Sequence, residues 1–237
     1  MGLRRRLIIT LIFSCALASV MRAQDSKPAP PSVDSITEAK KANARPPASN
    51  SATEPFDKAS VAEMAAQCVT LETDSGTIEA EMLSESAPET VRNFLNLAAI
   101  GAYNSTSFSR VVKDFVVQGG SLATRSSLSP ELAQRAKRTI PDEPSAVKHV
   151  RGILSMARYE RPNSATTSFF ILVSEAPHLD GKFAAFGRVV RGMEVVDAIN
   201  RAPVESDKPV KPVHLTRAIV SPCANSPRQS SATQNQF

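Results

Sequence analysis

Hydrophobic and polar residues follow a regular period only in the middle of the chain, between about 67 and 222. The first regular pattern is a pair of alternating runs at 69–73 and 78–82, separated by Asp74-Ser75-Gly76. Alternation on both sides of a short glycine-containing turn is typical of a β-hairpin. The periodic region therefore begins with two predicted antiparallel strands.

Two helices and several more short strands are predicted after this hairpin. Apolar residues recur at helical spacing over 87–99 and 193–199, and Pro88 suits the first turn of a helix. Further strands are predicted at 108–118 with a break at Lys113-Asp114, and at 153–156, 169–173, 184–189 and 214–220, with a short helix at 130–137. Many short strands with two helices favour a β-barrel or sandwich closed by helices.

The first 23 residues are predicted to be a cleaved export signal. Arg4, Arg5 and Arg6 precede an apolar run of about 14 residues, and small residues follow up to Ala23. The run is shorter than the roughly 20 residues that a membrane-spanning helix needs. Cleavage after Ala18 and cleavage near Ala23 both fit, and Cys15 as a lipid-anchored N-terminus is an alternative. The expected location is the periplasm or cell envelope.

Two segments outside the periodic region are predicted to be disordered. Residues 24–66 form a polar, Pro-rich linker, with a transient helix expected at 32–41, and 224–237 form a polar tail. Such sequences bury too little apolar surface to offset the entropy lost on ordering. The predicted folded domain is therefore 67–223, close to the usual size of one domain.

Composition and missing motifs exclude several classes of function. The net charge is +5, but residues 1–23 hold four arginines and no acid, so the rest carries 24 basic and 23 acidic residues. We therefore expect no nucleic-acid partner. The chain lacks a phosphate-binding loop, a Gly-x-Ser-x-Gly motif and a dinucleotide fingerprint, and its three histidines are scattered. No metal site and no small-molecule cofactor is predicted.

After removal of the signal, Cys68 and Cys223 would be the remaining cysteines. An even pair in an oxidising compartment is a disulfide candidate. Two unpaired thiols are the alternative, because the sequence does not establish that the two Cα atoms approach to bridging distance.

One predicted strand carries an arginine among apolar residues, in the string FSRVVKDFVVQGG at 108–120. Strand alternation puts Arg110 on the same face as Phe108 and Val112. Burying a guanidinium there costs free energy unless another group pairs with it. From the pattern alone, a surface arginine whose aliphatic part lies along the strand is the alternative.

The same string resembles the central motif of the cyclophilin family of peptidyl-prolyl isomerases, Phe-His-Arg-Val-x-x-x-Phe-x-x-Gln-Gly-Gly. Other segments resemble the family in the same order, so the resemblance runs from about Val69 to Val220. These segments are APETVRNF at 87–94, IPDE at 140–143, RGILSMA at 151–157, PNSAT at 162–166, FFI at 169–171, LDGK at 179–182 and FGRV at 186–189.

The resemblance implies a fold and a reaction. The fold is a closed eight-stranded antiparallel β-barrel capped by two α-helices, mainly β. Its first and last strands are neighbours, so a bridge between Cys68 and Cys223 is geometrically sensible. The reaction is rotation about X-Pro bonds of proline-containing polypeptides, against a barrier of about 18–20 kcal/mol. The chain is expected to act as a monomer, as an exported bacterial member of the family.

The resemblance also implies roles for individual residues. Arg110 matches the catalytic arginine, which donates to the substrate carbonyl and to the imide nitrogen as it pyramidalises. Gln118 matches a glutamine that binds the substrate backbone and helps to orient the arginine. Phe115 matches part of the pocket for the proline ring. The other predicted substrate-binding residues are Val116, Ala157, Arg158, Phe170, His178, Leu179 and Phe183.

Several positions depart from the family pattern. Ser109 replaces the histidine before the arginine, Thr167-Ser168 replaces Ser-Gln, and Arg158 replaces an asparagine. His178 lies at the position of the tryptophan found in drug-sensitive members, and the chain has no Trp. We therefore expect weak cyclosporin binding, and altered substrate preference or turnover with the reaction itself retained.

Three functional hypotheses follow. The first is an exported prolyl isomerase that assists the folding of envelope proteins. The second is a catalytically weak module that binds proline-containing peptides, which the missing glutamine and histidine favour and the intact Arg110, Phe115 and Gln118 oppose. The third is a structural cell-surface protein whose main feature is the Pro-rich linker.

Overall fold

The computed structural model describes residues 53–224. The predicted export signal, Cys15, the transient helix at 32–41 and the first part of the predicted linker lie outside the described residues. Nearly all of the predicted tail lies outside them as well. The described part contains the whole region with periodic hydrophobicity.

Eleven strands are present within residues 53–224, and all of them pair in antiparallel register. They are β1 (Gln67–Thr73), β2 (Gly76–Met82), β3 (Thr106–Ser107), β4 (Arg110–Val112), β5 (Val116–Gly119), β6 (Ile153–Met156), β7 (Phe169–Leu172), β8 (Ala185–Arg191), β9 (Val204–Glu205), β10 (Lys208–Pro209) and β11 (His214–Pro222). The predicted hairpin is confirmed as β1–β2. Its turn contains Gly76 at a φ of +130°, a conformation that suits a residue without Cβ.

Nine strands form one curled sheet, a half-barrel, in the order β3-β11-β1-β2-β8-β6-β7-β5-β4, while β9 and β10 form a separate hairpin. The predicted mainly-β antiparallel fold is confirmed. The predicted closed barrel of eight strands is corrected, because segment 106–112 is divided between two neighbours. Phe108 N–H donates to Val213 O, and Ser109 N–H donates to Gln118 O. The chain therefore changes partner there, and β3 and β4 become the two edges of the sheet.

Four α-helices accompany the sheet in the described chain, together with short 3₁₀ turns at Leu122–Thr124 and Pro177–Leu179. The helices are α1 (Val61–Ala65), α2 (Pro88–Ala99), α3 (Pro130–Arg135) and α4 (Met193–Arg201). The two longer helices, α2 and α4, are those predicted from helical spacing, and α3 is the predicted short one. Within residues 53–224, no helix is long and apolar enough to cross a bilayer.

The start of α2 is capped from a distant part of the chain. Its N-cap residue, Ala87, has no side-chain oxygen to accept from the first amides. The Glu143 carboxylate accepts from Glu89 N–H at 3.0 Å and from Thr90 N–H at 2.7 Å. A carboxylate at a helix N-terminus satisfies free N–H groups and is stabilised by the helix dipole.

The sheet buries apolar side chains on both faces. On the face that packs against α2, here called the inner face, the Phe94 ring lies 4.9–5.3 Å from the rings of Tyr103, Phe169 and Phe186. On the opposite, outer face a smaller cluster covers β5, β6 and β7. Its buried members are Val116, Ile153, Phe170, Leu172, Ala176, Leu179 and Ala185. Because successive strand residues point to opposite faces, β7 contributes side chains to both the inner and the outer cluster.

The change of partner at 108–109 also alters the predicted arrangement around Arg110. Val112 packs on the outer cluster, as alternation predicts for a residue on the face of Arg110. Phe108 instead belongs to the inner cluster. The expectation that Phe108 and Arg110 share a face is therefore wrong, because the strand is interrupted between them.

A disulfide joins Cys68 and Cys223, whose Cα atoms are 4.9 Å apart. Cys68 lies near the start of β1, and Cys223 follows the end of β11. The two strands are hydrogen-bonded neighbours, and Cys223 N–H also donates to Ala66 O at 2.9 Å. Of the two alternatives for these cysteines, the structure contains the bridge.

The end of the predicted linker, from residue 53 to 66, is folded, which corrects the prediction that the linker is disordered up to 66. Phe56 N–H donates to Asn96 Oδ1 at 2.7 Å, and Arg92 Nη1 donates to Phe56 O at 2.6 Å. Glu54 forms an ion pair with Arg135, and both side chains are largely buried. These contacts with α2 and α3 compensate for the low hydrophobicity that made this segment resemble a linker.

Candidate active site

The candidate site lies on the outer face of the sheet, where β4, β5 and β7 are adjacent. Arg110 is opposite Gln118 in the β4–β5 ladder, and Gln118 is opposite Phe170 in the β5–β7 ladder. Residues paired across antiparallel strands project from the same face of the sheet. The pairing therefore brings a cation, an amide and an aromatic ring side by side.

A pocket of about 190 Å³ opens at this row of side chains. It is lined by Arg110, Phe115, Val116, Gln118, Ala157, Arg158, Phe170, Leu179 and Phe183. All nine belong to the predicted site. The tenth predicted residue, His178, lies beside the pocket with its ring 5.5 Å from that of Phe115.

The pocket has an apolar floor. Val116, Phe170 and Leu179 are buried in the outer cluster, with Phe115 and Phe183 packed against them. The rings of Phe170 and Phe183 meet edge to face, 6.1 Å apart. Such a surface can hold a small apolar ring by removing it from water.

Arg110 supplies a charged donor at one side of this floor. Its side chain is 46% exposed, and Nη2 donates to Asp207 Oδ2 at 3.1 Å. A guanidinium has five N–H donors, so the group keeps donors for a ligand while bound to Asp207. Within residues 53–224, the side chain of Gln118 makes no hydrogen bond, so both of its polar atoms can also bind a ligand.

Arg158 closes another side of the pocket. Its guanidinium carbon lies 4.9 Å from the centre of the Phe183 ring. Its N–H groups donate to the backbone oxygens of Tyr159 at 3.0 Å and Lys182 at 3.3 Å. Its Nε also lies 3.7 Å from Asp142 Oδ1, an ion pair. The pocket is therefore bounded by two arginines that each pair with a carboxylate, and Arg158 is held in addition by an aromatic face and backbone carbonyls.

Asn200 of α4 fixes the turn that carries Phe115. Its Nδ2 donates to Val112 O at 2.8 Å, and its Oδ1 accepts from Asp114 N–H at 3.1 Å. Asp114 has a φ of +54°, a left-handed conformation that is uncommon outside glycine. Asn200 was not predicted as a site residue, because the sequence gives no sign that α4 packs on this turn.

His149 fixes the turn that carries His178 and Leu179. Its carbonyl accepts from Ala176 N–H at 2.8 Å, and its N–H donates to Asp180 Oδ1 at 2.8 Å. These bonds lie on either side of the Pro177–Leu179 turn. His149 is not among the predicted site residues, because its role depends on contacts between separate loops.

The arrangement suits binding and polarisation more than bond cleavage. An apolar floor lies beside hydrogen-bond donors that can bind a carbonyl oxygen or a backbone group. Among residues 53–224, no group of three or more His, Cys, Asp or Glu side chains is placed to hold a metal ion.

Comparisons with known proteins agree on one family. The family model described as "Cyclophilin type peptidyl-prolyl cis-trans isomerase/CLD" matches residues 68–220, which is more than half of the chain. The peptidyl-prolyl cis-trans isomerase CYP23 of Arabidopsis thaliana is 40% identical over 147 residues, which cover 61% of this chain and 65% of that protein. The chain thus spans slightly less than two thirds of that relative.

Two further proteins match over most of their own length. The peptidyl-prolyl cis-trans isomerase CYP18-2 of Arabidopsis thaliana is 43% identical over 153 residues, 64% of this chain and 90% of that protein. The crystal structure of a cyclophilin type peptidyl-prolyl cis-trans isomerase of Cryptosporidium parvum, in the presence of the dipeptide Ala-Pro, superposes with a TM-score of 0.58. It is 29% identical, over 65% of this chain and 98% of that one.

Proposed function

The chain belongs to the cyclophilin family of peptidyl-prolyl cis-trans isomerases, and we propose that its outer-face pocket isomerises X-Pro bonds of exported proteins with Arg110 as the catalytic residue. The observation that carries this proposal is the row Arg110–Gln118–Phe170 beside the apolar floor. In this row Arg110 can donate to the substrate carbonyl, and Gln118 can donate to and accept from the substrate backbone. Phe170 and the floor offer an apolar surface for the proline ring.

Electrostatic stabilisation is the proposed source of the rate enhancement. Rotation about the X-Pro bond breaks no covalent bond, but it removes the amide resonance that keeps the bond planar. As the bond twists, the nitrogen becomes pyramidal and regains its lone pair. Arg110 donates to the substrate carbonyl oxygen and to this lone pair, and its guanidinium is always charged. A donor held in place before the reaction stabilises the twisted form without reorganising at the moment of rotation.

The floor and Gln118 hold the substrate while its bond rotates. The proline ring lies on Phe115, Phe170 and Leu179, and the Gln118 amide binds the backbone next to proline. Fixing the ring while the preceding residue rotates keeps the substrate carbonyl within reach of Arg110.

Export is supported by the N-terminal sequence and by the disulfide. Arg4–Arg6 and the apolar run match a secretory signal, and a bridge such as Cys68–Cys223 persists in oxidising compartments. The proposed location is therefore the periplasm or cell envelope, where the protein acts as a monomer on unfolded proline-containing chains. N-terminal sequencing of the protein isolated from expressing cells tests the cleavage of the signal: a protein that begins at residue 1 would contradict it.

The reaction is tested on the full mature chain with an Ala-Pro tetrapeptide. Arg110→Ala is expected to lower kcat/KM by about 100-fold or more, because it removes the donor that acts in the transition state. Arg188→Ala is the matched control: this arginine is also about half exposed and pairs with one carboxylate, that of Glu81. It does not line the pocket, so its kcat/KM is expected to stay within about twofold of the parent protein.

The outcome also separates the two main hypotheses. If the parent protein and Arg110→Ala show the same negligible catalysis while both bind the peptide, the pocket is a proline-peptide-binding module. The replacement of the family's Ser-Gln by Thr167-Ser168 is the specific observation that favours this second function.

A further inference from the structure

A two-residue turn brings Asp207 to the edge of the candidate site. β9 and β10 pair as Glu205 with Lys208 and Val204 with Pro209, which leaves Ser206 and Asp207 as the loop. Their φ angles are +49° and +63°, as in the type I′ turn that connects tightly twisted strands. Aspartate tolerates this left-handed conformation better than most residues.

This turn is attached to β4 through two adjacent residues of that strand. Val111 N–H donates to the backbone oxygen of Asp207 at 2.7 Å. Arg110 Nη2 donates to the side-chain oxygen Oδ2 of the same residue at 3.1 Å. The backbone bond fixes where Asp207 lies along the strand, and the carboxylate then reaches the guanidinium.

No other side chain in the described part of the chain holds the Arg110 guanidinium. Gln118, opposite Arg110 in the ladder, makes no side-chain hydrogen bond within residues 53–224, and the guanidinium has no other hydrogen-bond or ion-pair partner there. The orientation of the guanidinium is therefore set by Asp207. The contact occupies one amino group and leaves the remaining N–H donors directed to solvent or to a ligand.

The ion pair contributes little to folding, because both side chains are about half exposed, at 46% and 47%. Its main consequence is geometric: a long flexible side chain is confined to fewer orientations beside the pocket. We infer that Asp207 is the positioning residue for Arg110, holding the guanidinium ready for the substrate carbonyl. This inference rests on the proposed function, since it assigns a role in the same reaction.

Two variants test the role of the carboxylate without changing the turn. Asp207→Gly keeps the backbone oxygen that Val111 contacts and tolerates the positive φ. Asp207→Asn keeps the size and one acceptor oxygen but removes the charge. On the full mature chain with the Ala-Pro tetrapeptide, Asp207→Gly is expected to lower kcat by roughly three- to tenfold, with KM changed less than about twofold, because the substrate-binding floor is intact. The kcat of Asp207→Asn is expected to lie between that of Asp207→Gly and that of the parent protein.

Ser206→Gly is the control within the same turn. It changes the other loop residue, which also has a positive φ, and leaves the carboxylate in place. Its kcat is expected to match that of the parent protein. Equal losses of kcat in Ser206→Gly and Asp207→Gly would overturn the inference, because the turn itself and not the carboxylate would then matter.

A double-mutant cycle with Arg110→Ala completes the test. If Asp207 acts through Arg110, Asp207→Gly causes no further loss of kcat in the Arg110→Ala background. The inference would be overturned if Asp207→Gly lowered kcat by the same factor in the parent and in the Arg110→Ala background. It would also be overturned if the single variant Asp207→Gly had an unchanged or a raised kcat. If Arg110→Ala lowers kcat while Asp207→Gly does not, only this inference fails. If Arg110→Ala leaves kcat unchanged, the proposed catalytic role of Arg110 fails, and the positioning role fails with it.

Discussion

His149 holds Asp180 through two of its atoms: its backbone N–H donates to Asp180 Oδ1 at 2.8 Å, and its ring Nδ1 lies 3.2 Å from the same oxygen. The other ring nitrogen lies 3.1 Å from Ser155 Oγ. Burial lowers the pKa of His149, although Asp180 opposes this effect. The hydrogen bond from the His149 backbone lowers the pKa of Asp180 in turn.

Stability is therefore expected to fall in mild acid. In the unfolded chain His149 takes up a proton near its ordinary pKa of about 6.5, whereas in the folded protein it stays neutral to lower pH. The unfolded state then binds more protons, so this contribution to the free energy of unfolding is complete above about pH 6.5. It is lost progressively as the pH falls toward the lower pKa of the folded state. The lowered pKa of Asp180 adds a second loss below about pH 4.

Urea unfolding between about pH 8 and pH 5 measures this dependence for the parent protein and for His149→Gln. The variant is expected to show a flatter dependence of its unfolding free energy on pH. Val210→Ala, at an exposed position without a titratable group, is expected to keep the parent slope. The same slope in all three proteins would contradict the assignment to His149.

Glu143→Gln is expected to destabilise the protein by about 1–2 kcal/mol, because the charged acceptor at the N-terminus of α2 is lost. The two backbone amides that it binds have no capping oxygen from Ala87 to replace it. Urea unfolding at neutral pH measures the change. Glu175→Gln, at an exposed position, should leave the midpoint almost unchanged, and equal shifts in both variants would argue against remote capping.

Removal of the disulfide is expected to lower the free energy of unfolding by up to about 4–5 kcal/mol, because the bridge closes a loop between residues 155 positions apart. The double variant Cys68→Ser/Cys223→Ser and the parent protein in reductant should unfold at the same lower urea concentration. An unchanged midpoint on reduction would mean that the reduced unfolded chain keeps the two ends together.

Asn200→Ala should weaken both the fold and substrate binding. The variant loses the bonds from Asn200 to Val112 and Asp114 in a buried site, which is expected to cost about 2–3 kcal/mol. Phe115 follows this turn directly, so KM for the tetrapeptide should rise more than kcat falls. Asn200→Asp keeps the acceptor for the Asp114 amide but places a buried carboxylate oxygen against Val112 O, so it is expected to be at least as destabilised as Asn200→Ala. A normal KM in a destabilised Asn200→Ala would show that Phe115 is held by other contacts.

Cyclosporin is expected to inhibit the protein only at micromolar concentration or above, since an exposed histidine occupies the position of the family's tryptophan. The His178 ring lies against Phe115 at one side of the pocket and offers less apolar surface than an indole. His178→Trp should lower the inhibition constant by about tenfold or more, with tetrapeptide turnover changed far less. Submicromolar inhibition of the parent protein would contradict this expectation.

Most of the pocket could be predicted because its residues lie in short strings that resemble one family. Strand alternation correctly places Arg110 and Val112 on the outer face, but the change of partner at Phe108 could not be read from an apolar run. Asp207 could not be found either. It lies 97 positions from Arg110, in a hairpin of two-residue strands too short to produce a period.

The sequence contains one local indication that the end of the predicted linker is folded. Ser60 and Glu63 form a capping box, in which each side chain binds the backbone N–H of the other. This Ser-x-x-Glu spacing is visible in the sequence, but the surrounding prolines and polar residues are typical of a linker. The ion pair of Glu54 with Arg135 spans 81 positions, so only the folded chain brings its partners together.

The bridge between Cys68 and Cys223 also decides how the domain bears mechanical load. A pull applied between the chain before Cys68 and the chain after Cys223 is carried by the covalent bond. The hydrogen bonds between β1 and β11 carry almost none of that tension, so the sheet cannot be unzipped from its two ends. Force can unravel the intervening strands only after the bridge is cut, or when it acts on a point inside the loop that the bridge encloses.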